Sequence, residues 1–427
     1  MSTGARVGRP APAVLVALYF SAALLCWLAA TISFVDAAPQ LAAAGVAAPE
    51  VLLAVHLVGL GFLPLAVTGA VLHVLPTLLR NHASQARGWT ALPLLCAGPV
   101  LAYAIAHGYD TVTWVAAAVE TAGFLVVAWE LVALVVGAPH DRMLLASRFG
   151  VLLATFHAAV ALAVGAGLAE QGWKPLLGIP HDRAIGIHLN LAVLGWLTLL
   201  IVTVGRTLTP MLSLAPAAAR RRLPVEELVL TGGLWLLVAG LAFGEQALML
   251  AGALLALAAI GVFAVLTARI GREHRLDGLE GPLTHVVTGM FFLLQAAILG
   301  VGMLLGLDAS PARLTAYVVA LLVGWAAGVT LGHLGKLLSL SAWTWWPPGP
   351  RPKQAALYPR GVWLVEAIAF AVGIELLVNA VLGGSEGVAL LAGMLLVGSA
   401  AAACVGAAFT LLAGRRAFRT PPSPAAA

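Results

Sequence analysis

Long apolar runs, each able to cross a lipid bilayer, alternate along this chain with short clusters of charged, proline and glycine residues. A membrane-spanning helix needs about 20 mostly apolar residues. The pattern predicts twelve spans, at residues 12–35, 49–79, 89–107, 111–137, 143–168, 184–213, 225–244, 246–268, 281–306, 312–340, 360–383 and 387–414. We therefore expect an all-α polytopic membrane protein. Residues 1–419 would form a single transmembrane domain, and residues 420–427, rich in proline and alanine, a disordered tail.

Composition excludes a water-soluble protein. Of 427 residues, 61% are hydrophobic and only 10% are charged, which leaves too little polar surface to cover a core. The first apolar run is too long for a cleavable signal and lacks a small-residue cleavage site. The three cysteines all lie inside apolar runs and are expected to be packing residues.

Basic residues predict the orientation in the membrane. The N-terminus, the C-terminus and the loops after even-numbered spans carry most of the arginines, whereas the loops after odd-numbered spans carry only Lys174, Arg183 and Arg313. This asymmetry follows the positive-inside rule. We expect a multi-pass protein of the cell inner (plasma) membrane with both termini cytoplasmic, in contact with membrane lipids and with no nucleic-acid partner.

An internal repeat links the second, sixth and tenth spans. Residues 188–210 run from a histidine through a Leu-Gly-Trp step to a proline, and residues 56–76 form a weaker copy. Aligning Gly61 with Gly195 also aligns the two final prolines without a gap, and a Val-Gly-Trp step around Gly324 is a faint third copy. The period of about 130 residues covers four helices. It predicts three four-helix arcs around a pseudo-threefold axis.

Two histidines within these spans are the main candidates for chemistry. A ligand-type side chain inside a bilayer suggests a functional site, and neutral imidazole is the usual axial ligand of haem iron. In the predicted orientation, His56 and His188 both lie roughly 10 Å or less from the outer surface. They are predicted to be metal ligands that share one haem b. The alternative is that each bonds to a neighbouring helix.

A second group of histidines, His73, His285 and His333, is predicted near the inner surface. One interpretation is a second haem site, so that electrons pass between the two faces. The alternative is interfacial histidines within reach of water and headgroups. His157 is predicted at mid-membrane, packed against a polar partner.

Several carboxylates are also predicted to be buried. They would belong to a proton route, or pair with Arg206, Lys336 or a backbone group. They are Glu120 and Glu130 on the fourth span and Glu366 and Glu375 on the eleventh.

The order of histidine, Leu-Gly-Trp step and proline, on twelve spans in three arcs, resembles the catalytic subunit of the haem-copper oxidase superfamily, closest to cbb3-type oxidase and nitric oxide reductase subunits. In that family a His-x-His pair on the tenth span precedes such a step; here His188 fills the first position and Asn190 the second. The block lies on the sixth span, where the family has a copper ligand, and the repeat allows both alignments. His56 lies where the family's low-spin haem ligand is found.

The chain also departs from the family. The family's copper site needs a His-His pair on the seventh span, and residues 225–244 contain no histidine. Tyr317 and Val319 stand in place of the paired ligands on the tenth span. The resemblance therefore implies a relative of the oxidases whose copper site is incomplete.

The function expected from these observations is that of an integral membrane haem-binding protein. It would transfer electrons or handle a diatomic gas such as O2 or NO, with a redox partner subunit or cytochrome. An oxidoreductase activity is one interpretation. The alternatives are a secondary transporter, which also carries intramembrane glutamate and histidine, and an assembly subunit that kept the fold without the cofactors.

Overall fold

The fold is that of a helical bundle. The computed structural model describes residues 10–45, 47–141, 144–169, 178–212, 223–272, 281–308, 310–344 and 352–419. Within them, twelve helices are long and apolar enough to cross a membrane, which confirms the predicted all-α polytopic fold. The predicted tail 420–427, the N-terminal Arg6 and Arg9, Lys174, Arg142 and the 220–222 arginine cluster lie outside the described residues.

Helices α1 to α12 correspond one to one with the predicted spans. They are Ala13–Asp36, Pro49–Leu78, Gln85–His107, Asp110–Val136, Leu145–Ala169, His181–Met211, Val225–Phe243, Gln246–Arg272, Gly281–Leu304, Pro311–Thr344, Arg360–Gly383 and Glu386–Arg419. A short helix, Ala38–Ala42, follows α1, and a 3-10 turn, Gln354–Leu357, precedes α11. A break near Cys96 divides α3 into Gln85–Leu95 and Gly98–His107.

Three of the helices change their winding near the middle. The α-helical hydrogen-bonding pattern gives way to π-helix at Leu57–Phe62 in α2, at Leu191–Thr198 in α6 and at Val319–Ala327 in α10. These are the three spans that the repeat makes equivalent, and each π-helical segment contains the repeat's glycine. The shared irregularity supports the pseudo-threefold arrangement, because π-helix is rare in proteins.

The glycines of the repeat, Gly61, Gly195 and Gly324, have one packing role. Each lets the first helix of its own four-helix unit, α1, α5 or α9, approach the π-helical segment. A Cβ atom added at these glycines would lie 3.0, 2.8 and 2.7 Å from the Cβ atoms of Cys26, His157 and Phe292, respectively. The three units are therefore built on the same helix-to-helix contact, made possible by a missing side chain.

Helix α10 lies at the centre of the bundle. In its most apolar stretch 83% of the residues are buried, against 28% in α5 and in α8. The indole nitrogen of Trp325 on α10 donates a 2.8 Å hydrogen bond to the hydroxyl oxygen of Thr198 on α6, so the π-helical segments of these two helices are joined directly. The equivalent helices α2, α6 and α10 thus form the inner part of the structure, where intramembrane side chains meet.

Contacts between loops agree with the predicted alternation of sides. Arg80, after α2, pairs with Asp141, after α4, at 3.0 Å. On the opposite side, the side-chain amide of Gln246, at the start of α8, donates a 2.6 Å bond to the Leu304 carbonyl at the end of α9. Each contact joins loops that the helix count assigns to the same face.

Candidate functional site

His56 and His188 hold their rings in the same way. The Nδ1–H of His56 donates to the Leu52 carbonyl oxygen one turn earlier in α2, at 2.8 Å. The Nδ1–H of His188 donates to the Ala161 carbonyl oxygen of α5, at 2.9 Å. In a neutral imidazole, a proton on Nδ1 leaves the lone pair on Nε2. Both rings therefore present Nε2 as the nitrogen that can bind a metal.

The two imidazoles also influence each other. His56 and His188 are close enough to interact electrostatically although they belong to different helices. Neither Nε2 has a hydrogen-bond partner among the residues that the structure describes. The two side chains therefore offer two unshared nitrogen lone pairs, and their ligation of one haem stays a prediction.

The pseudo-threefold repeat accounts for this pairing. The Tyr317 hydroxyl on α10 donates a 2.9 Å hydrogen bond to Oδ1 of Asn190 on α6. In the repeat, Tyr317 occupies the position of His188, and Asn190 occupies the position of His56. His188 on α6 and His56 on α2 therefore hold the two repeat positions that Tyr317 on α10 and Asn190 on α6 hold in the next unit.

A glycine of α5 makes room for His188. A Cβ atom added at Gly165 would lie 2.7 Å from Cε1 of the His188 ring. Gly165 follows Ala161, the acceptor of the His188 bond, by one helical turn. This glycine was not among the predicted site residues, and its position on the α5 face became evident only from the packing of α5 on α6.

The donor set fits axial ligation of a haem iron, because such histidines characteristically donate Nδ1–H to a carbonyl. His56 and His188 line none of the three cavities described in this structure. Within the described ranges, no group of three or more histidine, cysteine or carboxylate side chains is arranged to hold a metal ion.

His285 belongs to a buried polar cluster. Its Nε2 lies 2.7 Å from Oε2 of Glu366 on α11, and neither side chain is exposed. Oε1 of Glu366 accepts a 3.0 Å bond from the hydroxyl of Ser399 on α12, while Nδ1 of His285 is buried without a hydrogen-bond partner. His285 is therefore inside the protein, not within reach of headgroups, and its pairing with Glu366 was not predicted.

The other two histidines of the predicted inner group have separate surroundings. The Nδ1–H of His333 donates to the Val329 carbonyl at 2.8 Å. His333 also lines a cavity of about 80 Å³ between α2, α6 and α10, and interacts electrostatically with His285. His73 is buried, with its Nδ1 3.3 Å from the hydroxyl oxygen of Ser341 on α10. The structure thus associates His285 with His333 and gives His73 a different neighbour.

His157 is packed against polar partners, as predicted. Its Nδ1–H donates to the carbonyl oxygen of Gly195, in the π-helical segment of α6, at 3.1 Å. Its Nε2 accepts a 3.1 Å bond from the indole nitrogen of Trp235 on α7. Because both ring nitrogens are occupied, His157 has a structural role between three helices.

The remaining carboxylates have local roles. Glu130 pairs with Arg87 and accepts a 2.9 Å bond from the backbone amide of Ser84, which fixes the start of α3. The other two carboxylates have different surroundings. Glu375 accepts hydrogen bonds from Gln295 and Asn379, and Glu120 is buried near Gly98.

The two basic residues that were predicted as possible partners contact other groups. Arg206 pairs with Glu226, and the Lys336 ammonium lies 4.5 Å from the ring centroid of Tyr358. In the part of the chain that the structure describes, these contacts are separate from one another, and the proton route stays a prediction.

No family model and no curated protein matches this chain. The resemblance to the haem-copper oxidase superfamily thus stays a prediction, and the geometry of the histidines carries the functional argument.

Proposed function

We propose that this chain is an integral membrane protein that binds haem b through His56 and His188. The observation that supports the proposal most directly is the pairing of two neighbouring imidazoles on different helices, each with Nδ1 bonded to a carbonyl and Nε2 without a partner. These hydrogen bonds leave each ring with one nitrogen that packing does not use, whereas the packing histidine His157 satisfies both of its nitrogens.

The protein's own contribution would be to orient the ligands and to exclude water. The carbonyl oxygens of Leu52 and Ala161 fix the tautomer and ring direction of His56 and His188, and a hydrogen bond to Nδ1–H makes the opposite nitrogen a stronger ligand. Bound haem supplies one-electron redox chemistry. The role proposed for the chain is therefore electron transfer, or handling of O2 or NO, with a redox partner subunit or cytochrome.

Copper is not part of this proposal. Helix α7, Val225–Phe243, contains no histidine, whereas the family resemblance would require a pair of them there. Without that ligand set we do not propose oxygen reduction. The proposed location is the cell inner membrane with both termini in the cytoplasm, supported by the arginine-rich loops.

The proposal is tested on full-length protein purified in detergent from haem-replete cells. We expect a Soret band, a reduced-minus-oxidised spectrum of b type, and iron without stoichiometric copper. His56→Ala and His188→Ala should each lose or shift these bands. His107→Ala is the matched control, because His107 also bonds its Nδ1–H to a carbonyl one turn earlier, Tyr103 at 2.9 Å, but is exposed at the end of α3.

Three results would count against haem binding. A colourless, iron-free preparation would contradict it directly. Equal loss of the bands in His107→Ala would show that the variants act through folding and not through ligation. Copper or zinc held by His56 and His188 without iron would assign the pair to a bare metal ion.

A second candidate, a proton-coupled secondary transporter, rests on the buried His285–Glu366 pair. Intramembrane ionisable pairs of this kind occur in transporters that carry protons. Proton-driven substrate flux into proteoliposomes that contain haem-free protein, abolished by Glu366→Gln, would favour this candidate over haem binding.

A further inference from the structure

A cavity separate from the histidine pair lies among the helices from α6 to α10. It is the largest of the three cavities described, with a volume of about 470 Å³, and it is lined by residues of α6, α7, α8, α9 and α10. Pockets for small molecules usually measure about 300–1,000 Å³. His188 points from α6 toward α5, whereas Asn190 faces α10 and this cavity. A ligand here would therefore not compete for the proposed haem ligands.

The cavity lining is apolar except for two pairs of polar residues at different depths. Asp182 and Arg183, at the start of α6, lie at one end. Asn190 and Tyr317 lie deeper, roughly 12 Å along α6 from the charged pair. The other lining side chains are aliphatic, including alanines such as Ala256 of α8 that leave the space open. The cavity therefore suits a long apolar molecule that carries a polar head.

The hydrogen-bonding groups of Asn190 and Tyr317 determine which polar head group the cavity can hold. The Tyr317 hydroxyl donates to Asn190 Oδ1, and Asn190 Nδ2 donates to the Gly186 carbonyl at 2.8 Å. The second N–H of Asn190 and the lone pairs of the Tyr317 oxygen then remain available for a ligand. They match a carbonyl or hydroxyl group. A carboxylate or phosphate at this depth would be buried between neutral side chains, which is strongly unfavourable.

We propose that this cavity binds a membrane-soluble molecule of the quinone class, with a neutral carbonyl- or hydroxyl-bearing ring on an apolar tail. The ring oxygen accepts a hydrogen bond from the second N–H of Asn190, whose amide is held by Tyr317, and the tail occupies the aliphatic part of the cavity. The inference is independent of haem binding and goes beyond the function proposed above.

The test uses full-length protein in lipid nanodiscs and a photoreactive azido-ubiquinone with a decyl tail. We expect labelled peptides from α6, α8, α9 or α10, and competition by decylubiquinone but not by decylbenzene, which has the tail without the carbonyl groups. Ala256→Phe should reduce labelling at least tenfold by filling the cavity. Ala258→Phe is the matched control, because Ala258 is exposed on the same helix.

Two further variants make the result decisive. Asn190→Leu should weaken binding by about tenfold, because the N–H group that donates to the ring oxygen is lost. Ala297→Leu, a smaller change at another lining residue, replaces Ala256→Phe if the latter does not fold, as judged by gel filtration. Equal labelling of Ala256→Phe and Ala258→Phe, or equal competition by decylbenzene, would overturn the proposal. So would loss of bound haem in folded Ala256→Phe, because the cavity would then hold haem.

Discussion

His285 and Glu366 bond to each other where neither side chain reaches the surface. Removing one partner of a buried charged or polar pair leaves the other without compensation, at about 3–5 kcal/mol, whereas replacing both by apolar residues is often nearly neutral. The pair therefore adds specificity to the contact of α9 with α11 more than it adds stability.

Glu366→Leu should lower the free energy of unfolding by about 3–5 kcal/mol, because both nitrogens of His285 would then be buried without partners. The double variant His285→Leu/Glu366→Leu should recover most of this loss. Thermal unfolding in detergent measures both. A double variant no more stable than Glu366→Leu would show that the pair stabilises the protein in its own right.

Individual side chains were predictable to different degrees. The repeat aligned His56 with Asn190, the partner of Tyr317, and this register relates His56 and His188 to that pair. The polar packing of His157 was predicted as well. The His285–Glu366 pair was not, since the facing of two helices far apart in sequence depends on how each is rotated. In helices that are apolar on every side, residue spacing does not fix that rotation.

At the scale of elements, the π-helical segment of α2 governs how α3 packs. Helix α3 breaks near Cys96, and the backbone at Gly98 then lies directly against the Leu60 carbonyl. A Cβ atom at Gly98 would overlap this backbone oxygen, which cannot rotate away as a side chain would. Gly98 is therefore required for a close contact between two main chains.

Gly98→Ala should destabilise the protein by at least about 2 kcal/mol or prevent folding, because α3 must move away from α2. Gly59→Ala, in the π-helical segment itself, is the control: its added Cβ would have no neighbour within 4 Å. It should be neutral or slightly stabilising, since alanine favours helix over glycine by about 1 kcal/mol. The yield of monodisperse protein and its melting temperature report both effects. Similar melting temperatures for the two variants would contradict the predicted overlap.

The positions of the helices could be read from the sequence because charged, proline and glycine clusters mark their ends. Most observed helix ends lie within a few residues of the predicted ends. Helix α11 ends at Gly383, as predicted, whereas α12 continues to Arg419, past the predicted end at residue 414. The π-helical segments could not be predicted. A change of winding over six to nine residues leaves no mark on a pattern that is apolar on all faces.

For the molecule as a whole, the arginine-rich loops predict a definite orientation in the membrane. Fusion of a cytoplasm-specific fluorescent reporter after Arg419 should give fluorescence, and fusion of alkaline phosphatase after residue 307, between α9 and α10, should give phosphatase activity. The exchanged fusions, with each reporter at the other site, serve as controls and should be inactive. Phosphatase activity at the C-terminus would reverse the proposed orientation.

The sequence also predicted the arrangement of the three units, from one clear pair of repeats and one faint copy. It did not predict the cavity of about 470 Å³, whose lining comes from five helices. A cavity arises from side chains that are absent, such as those of alanine and glycine on facing helices. The sequence contains 46 glycines, and their number does not indicate where space is left between helices.

The π-helical segments are three interior points at which the chain can lose a residue. Relative to an α-helix, a π-helical turn accommodates an added residue. Deleting one residue from Leu191–Thr198 would let this part of α6 close into ordinary α-helix, so that the rest of α6 keeps its direction and Thr203 stays packed on Gly150 of α5. The same deletion in an α-helical stretch of α6 would instead turn every side chain beyond it by about 100°.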